Sequence, residues 1–140
     1  MSANVNTYLN FRGDAREALE FYHSVFGGEL RVGTFAEFGM PVGDDEGGLV
    51  MHGQLDLDGR PLLMASDVPA HMGYQRGENT FSVSLSGDDE AVLTGWWNAL
   101  SDGATVQQPL EKAPWGDAFG MLIDRFGVSW LVNIAGGAAA

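Results

Sequence analysis

The 140-residue chain contains no cysteine, a single lysine at Lys112, and seven basic residues in all. The missing thiols exclude a disulfide framework, a thiolate zinc site and a cysteine nucleophile. Against the seven basic residues stand 19 Asp and Glu, for a formal net charge of −12. A surface of that sign repels phosphate, so neither nucleic acid nor an anionic membrane is expected as a partner. No apolar run approaches the ~20 residues of a membrane span. The opening MSANVNTYLNFRG lacks a basic stretch followed by an apolar core. That argues against a secretory signal and for a cytoplasmic location. The chain also lacks a G-x-S-x-G elbow, a P-loop, an H-E-x-x-H helix and a G-x-G-x-x-G turn.

What is present is a chain of ordinary domain size with 45% hydrophobic residues, enough for one packed soluble domain. Thr7 to Arg12 reads as a strand ended by Gly13. Asp14 with Glu17 three residues on reads as a helix N-cap with an acidic partner. Ala15, Ala18, Leu19, Tyr22, Val25 and Phe26 follow at helical spacing, and Gly27-Gly28 stops the helix. Leu30 to Phe38 is strand-like, and Gly39 to Gly48 reads as a mobile acidic loop. Leu49 to Leu57 alternates, with Leu49, Met51, Leu55 and Leu57 on one face and His52, Gln54 and Asp56 on the other. Asp58-Gly59 predicts a hairpin turn into Pro61 to Ser66.

After a linker the pattern restarts. Phe81, Val83 and Leu85 alternate with Ser82, Ser84 and Ser86, and Gly87-Asp88 matches Gly13-Asp14 at an offset of 74 residues. At that offset Leu19 meets Leu93, Tyr22 meets Trp96 and Phe26 meets Leu100, which places Trp96 in the core. Strands at Thr105 to Gln107, Phe119 to Ile123 and Val128 to Ile134 complete the second half. The expected fold is α+β: two tandem βαβββ modules, about 5–67 and 79–135, with a linker at 68–78 and a tail at 136–140. The sheets curve around a cleft and the helices lie outside.

The motifs Phe21-Tyr22 with Phe26-Gly27-Gly28, Met51-His52 with Leu63 to Asp67, Trp115-Gly116 with Phe119-Gly120, and Asp124 to Trp130 resemble the vicinal oxygen chelate superfamily. This is the group of glyoxalases, bleomycin-resistance proteins and extradiol dioxygenases. Within it the chain is similar to the PhnB-like branch, often labelled 3-demethylubiquinone-9 3-methyltransferase-like. The resemblance spans residues 5 to 134. It implies a ligand cleft and, in part, a homodimer, which an exposed Trp of the 96–97 pair would also suit.

Three histidines are present. His23 reads as a helix residue and His71 as a solvated loop residue. His52 shares a strand face with Gln54, where it either touches a ligand or is satisfied structurally. Trp115 sits on a loop, where it either closes a pocket or plugs a core or interface. Ser82 and Ser84 line either a groove or solvent, and Asn133 alternates with Val132 and Ile134 so that it could face the groove. The resemblance also implies where metal ligands would stand: Thr7, Met64, Ser82 and Asn133, each to within one residue. None of these is an imidazole or a carboxylate, so no metal and no cofactor are expected. The leading expectation is a protein that binds a small organic molecule. The alternatives are a divergent metal-dependent lyase, isomerase or dioxygenase, and a dimeric scaffold without a ligand.

Overall fold

The structure, a computed structural model, describes residues 3–78 and 80–136. Asn79, where the second module was expected to start, and tail residues 137–140 lie outside the described residues. The chain divides between Arg76 and Gly77 into two compact units.

The first unit runs β1 (Tyr8–Phe11), α1 (Ala15–Phe26), β2 (Glu29–Thr34), β3 (Val50–Leu57) and β4 (Arg60–Asp67). Its sheet has the order β1-β4-β3-β2, with β1 and β4 parallel and the other pairs antiparallel. The second runs β5 (Val83–Gly87), α2 (Glu90–Ser101), β6 (Thr105–Lys112), β7 (Ala118–Ile123) and β8 (Ser129–Ile134). Its order is β5-β8-β7-β6, again with the first pair parallel. Both units are thus βαβββ modules with the same strand order, and the fold is α+β. No helix among the described residues is long and apolar enough to cross a membrane.

Each helix buries one stripe on one face of its own sheet. α1 buries Ala15, Ala18, Leu19, Tyr22 and Phe26, and the sheet contributes Phe11, Leu55, Leu63 and Ala65. In the second unit Leu93, Trp97 and Leu100 are buried on α2, with Leu85, Leu122 and Val132 from the strands. A glycine on the third strand of each unit makes room for the helix. A Cβ at Gly53 would sit 2.2 Å from the Leu19 Cδ1, and one at Gly120 would sit 2.8 Å from the Trp97 ring. Neither close approach was read from the sequence.

Several local expectations change. Of the two tryptophans on α2, the buried one is Trp97, not Trp96. Leu93, Trp97 and Leu100 fall at i, i+4 and i+7, one face of a helix that begins 75 residues after α1, one more than the repeat offset suggested. Phe81 is 86% exposed rather than a core residue, because β5 begins only at Val83, opposite Trp130. In β3 the alternation breaks once: Gly33 pairs with His52 and Thr34 with Val50, so Met51 is the extra residue of a bulge. The bulge shifts the phase, and Val50 is buried in place of Leu49 and Met51.

The helix starts differ as well. Asp14 occupies the α1 N-cap position, but its side chain caps nothing. The cap comes from the end of the neighbouring strand β4: buried Asp67, in register with Phe11, accepts from Gly13 N (2.7 Å), Ala15 N (3.0 Å) and Val50 N (2.9 Å). α2 is capped locally, by Asp89 rather than Asp88, through Val92 N at 3.1 Å. The Asp58-Gly59 turn forms as expected, with both residues at positive φ (54° and 78°), the backbone that a two-residue hairpin of matching twist requires.

The acidic segment 39–48 is a loop tied to its flanks by hydrogen bonds. Ala36 and Phe35 donate to Gly47 and Leu49, and Leu49 donates back to Glu46. Glu46 fastens it: one carboxylate oxygen accepts from Gly43 N at 3.0 Å, the other from Ala70 N at 2.8 Å. These amides, the Ala70 one first, hold its pKa below the ordinary 4.5. A depressed carboxyl pKa gives stability that is complete above the unfolded value and lost as pH falls through the folded one. Protection of the Ala70 amide from hydrogen exchange, corrected for intrinsic rate, should therefore hold at neutral pH and fall only below that range. In Glu46→Gln it should be lower and independent of pH. Equal protection in both proteins at every pH would show that Glu46 fastens nothing.

Candidate functional site

In each unit the sheet face turned away from the helix carries the polar residues. In the first unit the pleat places Tyr8, Met64 and Gln54 side by side across β1, β4 and β3. His52 lies two residues along β3 from Gln54, and Arg31 on β2 is in register with Gln54. Tyr8, rather than Thr7, therefore stands beside Met64. Its neighbours Leu9 and Phe11 alternate to the buried side, a parity the sequence reading set one residue off.

These side chains form an ordered line. The Tyr8 hydroxyl lies 3.4 Å from His52 Nδ1, with the rings tilted at 42° and 5.9 Å apart. His52 Nε2 lies 3.5 Å from Gln54 Oε1, Gln54 Nε2 donates to Asp56 Oδ1 at 2.7 Å, and Arg31 meets Asp56 Oδ2 at 2.8 Å. An ionised Asp56 accepts only, so the Gln54 amide must donate toward it. Its carbonyl oxygen then accepts from His52 Nε2–H, which leaves Nδ1 to accept from Tyr8. Every donor in the line points toward Asp56, and a neutral His52 takes the Nε2–H tautomer. Asp56 is 16% exposed at the side chain and balanced by Arg31.

In the second unit, Ser84 faces Leu131 and Ser86 faces Asn133 across the parallel pair. The Ser82 hydroxyl lies 2.8 Å from that of Ser129. Asn133 pairs with Phe119, and its amide donates to Asp117 Oδ2 at 3.0 Å. Asp117 Oδ1 also accepts from Gly136 N at 2.7 Å. The Asn133 bond first, then the Gly136 bond, lowers the Asp117 pKa below its ordinary value. Trp115, 62% exposed, packs edge-on against Phe119 at 5.8 Å.

The residues singled out in the sequence thus fall into two groups, each on its own sheet. His52, Gln54 and Met64 share one open face; Ser82, Ser84 and Asn133 share the other, with Trp115 against its edge. The sequence reading put Asp56 on the His52 face without singling it out and reached Tyr8 only as a neighbour of Thr7; it missed Arg31 in the first group, and Asp117 and Phe119 in the second. Strict alternation back from buried Phe11 was the signal that would have found Tyr8. Nothing local marks Asp117 or Arg31, whose partners lie 16 and 25 residues away.

The metal set that the superfamily uses does not fit these residues. In the first unit Tyr8 and Met64 offer a phenol and a thioether, while Asp56 is committed to Arg31 and Gln54; in the second Ser82 and Asn133 offer a hydroxyl and an amide. Among the described residues no three His, Cys, Asp or Glu side chains converge, and neutral oxygen and thioether donors hold a divalent ion weakly.

A glyoxalase-related enzyme from Fulvimarina pelagi shares the fold at TM-score 0.58 and 15% identity, over 95% of this chain and 88% of that one. The 3-demethylubiquinone-9 3-methyltransferase family matches residues 3–133, and the chain belongs to that family. Within reach of it in sequence are two solved structures. Protein PA1353 from Pseudomonas aeruginosa is 37% identical at TM-score 0.81, over 96% of this chain and 98% of that one. The PhnB protein from Bacillus cereus is 26% identical at TM-score 0.72, over 95% and 100%.

Proposed function

We propose that this protein binds a small organic molecule on the open faces of its sheets, without a metal held by the protein. The observation that carries the reading is the polar line from Tyr8 to Arg31 beside Met64. Its donors run toward Asp56, so the Tyr8 oxygen keeps free lone pairs. The two contacts to His52 are long, at 3.4 and 3.5 Å. A ligand bond replaces bonds that weak at little cost. A polar row flanked by apolar surface is the usual make-up of a small-molecule site.

Methyl transfer, which the family description names, finds less support in the residues. The β1–α1 turn has a single glycine, Gly13, and its amide and that of Ala15 are already taken by Asp67. No glycine-rich turn is left there for a nucleotide-bearing methyl donor to approach.

The test is a thermal-shift screen of divalent metals and of aromatic and phosphonate-like ligands. A ligand present at about 100 times its Kd adds roughly 2.7 kcal/mol of stability. His52→Ala should melt within about 3 °C of the parent, as expected for a change at weakly held groups, and should lose most of the ligand-induced shift. Gln54→Ala should weaken the shift as well. One equivalent of metal per chain, removed by chelator and lost in His52→Ala, would overturn the reading in favour of a metal enzyme. Unfolding of His52→Ala with an unchanged ligand response in Gln54→Ala would make the line structural.

A further inference from the structure

The charge on the second unit's open face says what kind of molecule it suits, an inference that rests on the ligand-binding reading above. Phe119 has Asn133 beside it on β8 and Glu111 beside it on β6. Trp115 stands edge-on to Phe119, with its plane turned 62°. The Asp117 carboxylate is fixed to the Asn133 amide and the Gly136 N–H. Each of its oxygens has taken one hydrogen bond there and can accept another.

The unit's two basic residues serve elsewhere. Arg125 is paired with Asp102, donating to its backbone carbonyl and to its carboxylate. Lys112 is in register with Ala118, which shares a face with Gly120 and Leu122, the face that α2 covers. The pleat therefore directs Lys112 away from Phe119.

The strands of this open face and the loop between β6 and β7 present two carboxylates (Glu111 and Asp117), two aromatic rings (Phe119 and Trp115) and no cation among the described residues. Carboxylates and the electron-rich faces of aromatic rings both attract positive charge, and here they do so in one place. An anionic ligand would be repelled by both. We propose that this face takes an organic cation, an amine or quaternary ammonium carried on an apolar body. The charged head sits at Trp115 and Phe119 within the field of Asp117 and Glu111. The body lies over half-buried Met121 and Leu131, which neighbour each other across β7 and β8.

Phenylbutyltrimethylammonium, phenylbutanol and phenylbutyrate share one skeleton and differ in charge. Each is titrated into the full chain by calorimetry, with the tryptophan indole N–H signals followed by NMR. The cation should bind at least about tenfold more tightly than the alcohol, and the carboxylate least tightly. Added salt should erode the cation's advantage. Trp115→Leu should lower the cation's affinity by about 3- to 30-fold and leave the alcohol's nearly unchanged, and Trp115→Phe should restore most of the loss. Trp115 is exposed on a loop, so both variants should melt with the parent. If the alcohol or the carboxylate binds as tightly as the cation and still moves the Trp115 signal, the cation assignment fails while ligand binding at this face stands. If none of the three moves any open-face signal, both readings fail.

Discussion

Asp67→Ala should cost about 3–6 kcal/mol of folding stability, enough to lower the melting temperature by more than 10 °C. The Asp67 carboxylate is 3% exposed and accepts from three backbone amides in three places: the end of β1, the first turn of α1 and the start of β3. Removing it leaves those donors without a partner in the interior, each at a cost of about 1–3 kcal/mol. Asp67→Asn keeps one acceptor oxygen but turns an NH2 group toward an N–H, so it should fall between the parent and alanine. Asp14→Ala is the control. Asp14 holds the N-cap position but makes no capping bond, so its loss should stay within about 0.5 kcal/mol. Chemical denaturation of the three variants decides the matter. An Asp14→Ala loss as large as that of Asp67→Ala would return the cap to Asp14.

Gly120→Ala should cost about 2–3 kcal/mol, near the upper end for overpacking by one methyl group. The new Cβ would meet the Trp97 ring at 2.8 Å and the Leu110 Cα at 2.9 Å, so a flat aromatic ring and a backbone atom must both yield. Gly53→Ala should cost less, about 1–2 kcal/mol. Its tight neighbour is the Leu19 Cδ1, the end of a side chain that can rotate. In the double variant Gly53→Ala with Leu19→Ala the two losses should partly cancel, with a coupling of at least about 0.5 kcal/mol. Additive losses, or a Gly120→Ala protein as stable as the parent, would mean that the helices do not press on these glycines.

The repeat of strand, helix and three strands was legible because it is written in local signals. The helical spacing of Leu19, Tyr22 and Phe26, the stop at Gly27-Gly28 and the Asp58-Gly59 turn each depend on residues close in sequence. Errors of one residue arose where an insertion or an element start moved the phase. The Met51 bulge put Val50 in the core, and the true start of α2 made Trp97, not Trp96, the residue that packs on Gly120. On β1, the same one-residue slip put Thr7 where Tyr8 stands. Since the side-chain period of a strand is two, a slip of one exchanges its faces.

The sequence by itself determined the modules, their turns, the acidic balance and the absence of thiol chemistry, because each follows from composition or from neighbours a few residues apart. It also picked out His52 with Gln54, which share a face two residues apart on one strand. Only the tertiary structure decided what those residues touch. Tyr8 reaches His52 across 44 residues, Arg31 reaches Asp56 across 25, and Asp67 caps a helix that begins 52 residues before it. Such contacts depend on strand order and register, and one acidic residue in a sequence looks like the next. Asp67 and Asp14 differ only in which of them the folded backbone brings to the amides of α1.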